Sequence, residues 1–169
     1  MMVLAHATYG MVSSVFFTKR IDRASSGKKF GLFAFAFAAN IALHGAMDLF
    51  PHSHPIPSYL DMIMAFAIVF LILLIKKPYR VLAVFCYFGS IIPDVIDMGI
   101  LRVLRSDGLR IFPWHLKKEF IFYEAIYTNT LMNVTFSIVV ILACAAIIYL
   151  KRKDLVRMIS PEFKISNKL

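Results

Sequence analysis

Five histidines and ten carboxylates are spread along 169 residues. All five histidines and four of the aspartates fall near the ends of apolar runs. His44-Gly45-Ala46-Met47-Asp48 sets an imidazole and a carboxylate four residues apart. On a helix, positions i and i+4 share a face, so this pair can meet one metal ion or each other. Pro51 ends that run, and His52-Ser53-His54 follows. Further on, Gly89-Ser-Ile-Ile-Pro93-Asp94-Val-Ile-Asp97 places two acids at i and i+3 beyond a proline. In hydrocarbon an isolated carboxylate must be protonated or paired with a cation, so two acids point to a shared cation or to a helix-capping role. His6, with Gly10 one turn later, adds an imidazole beside a small residue that permits close helix approach. Asp61, after Pro57-Ser58, reads equally as a first-turn acid favoured by the helix dipole. Taken singly, each has a bland reading: a His–Asp hydrogen bond, an interfacial histidine, a cap. Their force lies in convergence.

The elements that must position them are membrane helices. Hydrophobic residues make up 60% of the chain and mean hydropathy is +0.74, well above a soluble domain. Five apolar segments, about 1–17, 30–50, 59–75, 81–101 and 130–150, each have the length to cross about 30 Å of hydrocarbon. The expected fold is therefore all-α: a single-domain polytopic bundle of about five transmembrane segments, with an interfacial segment at 102–129 before the last. The first stretch is expected to be a retained helix, because its positive charges follow it. Cys86 and Cys144 lie inside apolar runs and read as small buried side chains.

The formal charge of +9 does not indicate nucleic acid, because the cations cluster beside apolar runs. The clusters are Lys19, Arg20, Arg23, Lys28 and Lys29; Lys76, Lys77 and Arg80; and Lys151, Arg152 and Lys153. Placing these and the C-terminal tail in the cytoplasm puts fourteen of nineteen Lys and Arg residues inside, following the positive-inside pattern. The N-terminus then faces outward, and the expected location is a bacterial inner (plasma) membrane. The five cations of 102–118 break the rule. Either segment four is re-entrant at Pro93, or those charges act on the outer face. Under this topology the histidines and Asp48, Asp61, Asp94 and Asp97 approach one side, and inverting the chain keeps them together.

Mixed imidazole and carboxylate ligands suit a divalent ion, zinc or manganese foremost. The expected metal ligands are His44, Asp48 and Asp94, with His6 and His52. Asp97, His52 and His6 are the candidates for acid–base catalysis. Arg102, Arg105, Arg110 and His115 are placed to hold an anionic head group, or simply to bind lipid phosphates.

With these residues laid out, the chain resembles the YdjM-like (LexA-regulated) family of integral-membrane metal-dependent hydrolases. The likeness is carried by Ala5-His6 to Gly10, by the block His44, Asp48, Pro51, His52, by Asp61, and by Gly89 to Asp94. It implies a multi-helix membrane protein with a His/Asp metal site and hydrolytic activity. The chain has Pro93-Asp94-x-x-Asp97 where better-known members carry P-D-x-D-H, and it lacks their H-R-G-x-T-H-S block. The expected function is hydrolysis of a phosphoester in a lipid or lipid-like substrate at the outer membrane face. The rival is a non-enzymatic membrane protein, a transporter, proton relay or structural subunit, using the same cluster for packing or ion binding. Oligomeric state is left open.

Overall fold

The computed structural model describes residues 3–49, 58–101, 104, 109–115 and 130–159. No strand occurs among them. The helices are α1 (Val3–Arg23), α2 (Ser26–Asp48), α3 (Ser58–Leu73), α4 (Lys77–Asp94), α5 (Thr130–Leu150) and α6 (Arg152–Ile159). A π-helical turn, Val95–Ile100, continues α4, and a short 3-10 turn spans Pro113–His115. The all-α expectation holds.

The helices run through the flanking cations: α1 extends to Arg23, and α2 and α4 start four residues earlier than the apolar runs. Lys and Arg are good helix formers, and their stems can lie along apolar surface while the charged heads reach water. Among the described residues, α2 and the continuous span Lys77–Ile100 are long and apolar enough to cross a membrane. A third span counts if α5 and α6 are taken together across their 76° bend. At sixteen residues α3 is about 24 Å long, short of a full crossing. Segment four is not interrupted at Pro93.

At the bundle centre α4 packs on α1 and α2, burying Leu82, Ala83, Cys86, Tyr87 and Ile91. Two glycines permit the close contact. A Cβ on Gly10 would strike the Ser90 side chain, and one on Gly89 would lie 2.5 Å from the Phe37 carbonyl. The outer surfaces of α3 and α5 remain apolar, with Phe70 at 70% and Leu142 at 62% exposure among many such residues. A surface of this kind belongs against hydrocarbon or another apolar partner.

The basic turns gather at one end. Arg80 donates to the Ile75 and Leu73 carbonyls at 2.6 and 2.7 Å, closing the end of α3. There α6 docks through Lys76 N–H to Met158 O (2.8 Å) and Arg157 to Asp22 (3.1 Å), while the Tyr79 hydroxyl donates to Asp22 (2.7 Å). The start of α1 and the ends of α2 and α4 therefore meet at the opposite end, where Asp61 of α3 accepts the Val3 and Leu4 amides at 2.8 and 3.2 Å. Asp61 is thus the expected first-turn acid of α3 and also caps the start of α1.

Candidate metal centre

Asp48 is the last residue of α2, and Asp94 closes the α-helical part of α4. Asp48 therefore sits at the negative end of a helix dipole, the unfavourable place for an anion, while Asp94 lies within the continuous span, where α4 passes into the π turn. Both are also buried, at 1% and 2% exposure. Only a cation or protons can make that arrangement tolerable.

The imidazoles supply the rest. His44 Nε2 lies 3.4 Å from Asp48 Oδ2 and 3.3 Å from Asp94 Oδ1. His115 Nε2 lies 3.0 Å and 3.2 Å from the same two oxygens. Neither Nε2 makes a hydrogen bond of acceptable geometry, nor does either oxygen of Asp94. Four ligand atoms bound tetrahedrally at about 2.0–2.2 Å would stand about 3.3–3.5 Å apart, close to these separations. His44, Asp48, Asp94 and His115 form a buried group that could hold a metal ion, their ligand atoms all within 4.8 Å of one another.

What fixes the rings is the other nitrogen. His44 Nδ1 lies 2.7 Å from the Ser90 carbonyl, which can only accept, so Nδ1 carries the hydrogen and Nε2 faces the carboxylates. His115 Nδ1 donates to Asp97 Oδ2, also at 2.7 Å. Asp97 in turn accepts the Ile111 and Phe112 amides at 2.9 and 3.0 Å, locking the 3-10 turn onto the π turn. Burial, the largest influence, pushes the His115 imidazole down, but the carboxylates of Asp48, Asp94 and Asp97 outweigh it and hold it up at about 9.

The structure thus brings His44, Asp48 and Asp94 together and adds His115. His115 does not stand with the basic residues as a head-group contact: Asp97 pulls it inward, and it is 7% exposed. Asp97 faces His115 and the amides of 111 and 112 rather than the space between the other acids, so it positions a ligand. His6 stacks on His44, ring centroids 4.0 Å apart, and its Nε2 lies 3.2 Å from Asp48 Oδ1. It therefore flanks the group on the outer oxygen of Asp48. Arg110 is partly exposed, its guanidinium donating to the Leu109 carbonyl (2.8 Å). His52, His54, Arg102 and Arg105 lie outside the described residues. The sequence signal for His115 was faint, since Phe-Pro-Trp-His is ordinary interfacial composition and its partners are 18 to 67 residues away in sequence.

No protein-family model, curated protein or solved structure matches this chain.

Proposed function

We propose that the chain is a membrane-embedded, metal-dependent hydrolase acting on a phosphoester of a lipid or lipid-like substrate. The observation that carries this is the pairing of two imidazoles, each tied back through Nδ1, with two buried acids, Asp48 and Asp94. The two Nε2 atoms stand 3.0–3.4 Å from carboxylate oxygens of Asp48 and Asp94, close to the spacing that ligands of one ion adopt. Zinc or manganese suits the donor set. The chemistry such an ion supplies is polarisation of a phosphoryl oxygen and a lowered pKa for water.

The protein's own residues do the remainder. His44, Asp48, Asp94 and His115 hold the ion; Ser90 O and Asp97 keep the rings aimed. His6, beside Asp48, takes the proton from the attacking water and returns it to the leaving oxygen as the P–O bond breaks. Arg110 meets the anionic head group. The opposite end, with its basic turns, faces the cytoplasm of a bacterial inner membrane. The YdjM-like motifs support the same reading.

A second reading, ion binding or transport without turnover, has one observation in its favour. Tyr9 donates to the Asn40 carbonyl (2.7 Å) and Ser13 to Asn40 Oδ1 (3.0 Å), extending a buried polar stretch one turn beyond His44 toward the basic end. The test is phosphate or alcohol release from long-chain lipid phosphoesters by protein reconstituted in vesicles. Turnover should stop with a chelator, return with zinc or manganese, and be lost in Asp94→Asn. Stoichiometric metal binding with no turnover on any phosphoester would favour the second reading.

A further inference from the structure

A cavity of about 470 Å³ opens between α3 and the end of α4, within the ~300–1,000 Å³ range of ligand pockets. Met62 and Phe66 form one wall, Ile91, Met98 and Gly99 the other. Asp94 is the single acidic or basic side chain in its lining. That residue also belongs to the metal-ligand group, is almost fully buried, and has both oxygens without a hydrogen bond. A second apolar cavity, about 360 Å³ between α1, α2 and α5, touches no member of the group. One groove alone of the two thus joins the hydrocarbon phase to the cluster.

We propose that the α3/α4 groove seats the hydrocarbon chain of a lipid phosphoester, placing its phosphate end against Asp94 and the metal ligands. This rests on the hydrolase reading and specifies its substrate: a lipid entering from within the bilayer, chain first along the groove. A chain leaving bilayer for groove gains little hydrophobic energy, because lipid tails are as apolar as the walls. The groove's contribution is positional: it holds the reacting phosphate in register with the cluster, the kind of constraint that converts a random encounter into a productive one. Gly99 belongs to this design. A Cβ added there meets nothing within 4 Å, so the groove is open where the glycine lies and a larger side chain can fill it without disturbing the helix.

The test uses dodecyl phosphate carrying a diazirine at its chain terminus, with zinc-loaded full-length protein in nanodiscs. Photolabelling should concentrate on α3 and the 95–100 turn and be displaced by unlabelled dodecyl phosphate. It should fall about tenfold in Gly99→Phe, because the ring takes the space the chain would occupy. Met98→Trp, which adds bulk to the same wall, should do the same. Removing zinc should also reduce labelling, because the phosphate loses its anchor. Label spread evenly over the lipid-facing surfaces, or label in the groove unaffected by zinc removal or by both variants, overturns the proposal. Turnover of long-chain lipid phosphoesters is measured alongside in the same nanodiscs. Its absence contradicts the hydrolase reading, whereas its presence without groove labelling contradicts only the groove.

Discussion

Asp97 and His115 show how one carboxylate governs another residue's role. The acid takes the Nδ1 hydrogen and leaves Nε2 turned toward Asp48 and Asp94. Asp97→Asn keeps the shape but weakens that bond, and metal affinity should fall roughly 10–100-fold by isothermal titration. His115→Ala should lose more, because it removes a ligand. The raised pKa of His115 gives a pH dependence with a definite sign. In the metal-free protein its protonated form stabilises the fold fully below the ordinary 6.5, and that contribution fades as pH rises through about 9. Metal must displace the same proton, so metal affinity should rise about tenfold per pH unit toward pH 9 and then level off. His44, Asp48 and Asp94 were legible from the i, i+4 spacing of the first two together with the common depth that the apolar runs give all three, while each alone also reads as a packing pair or a cap. His115 was not, because its placement comes from the Asp97 carboxylate and the backbone amides it gathers, contacts with no local signature.

At the scale of elements, the site is made by helix ends and one strap. Pro93 removes an amide from α4, and the following six residues open into a π turn, which carries Asp97 toward the 109–115 segment. That segment is seated by Trp114, whose indole lies on Gly45, with only 2.7 Å between the ring and a Cβ built there. Gly45→Leu should therefore leave the helices intact by circular dichroism. It should displace Trp114, carry His115 away from Asp48 and lower metal affinity about tenfold or more. The apolar runs revealed α1 to α5, while α6 in the basic tail had no such signal, and Pro93 was visible as a disturbance. They missed the helix ends because Lys and Arg turns continue helices that hydropathy alone terminates. They also read Pro93 as a candidate for re-entry, whereas the chain passes through it in one span to Ile100.

For the whole molecule, the bundle has a basic end and an opposite end that gathers the His/Asp group. An alkaline phosphatase fusion after Leu169 should be inactive and a fluorescent protein fusion there bright, while phosphatase fused in the 51–57 loop should be active. The reverse pattern would invert the membrane orientation without dispersing the cluster. Because the ligands come from α2, α4 and the 3-10 turn, a bound ion ties separate parts of the chain together. Metal at about 100 times its dissociation constant should raise the unfolding temperature by roughly 5–10 °C. The central claim, that the buried His/Asp group is a metal centre, is tested most directly by metal content. Protein purified without a metal-affinity step, incubated with zinc or manganese and desalted, is analysed by plasma mass spectrometry beside His44→Ala and Asp94→Asn. About one ion per chain is expected in the wild type and less than ~0.2 in either variant. A wild type below ~0.2, or a metal content that neither substitution changes, would contradict that claim.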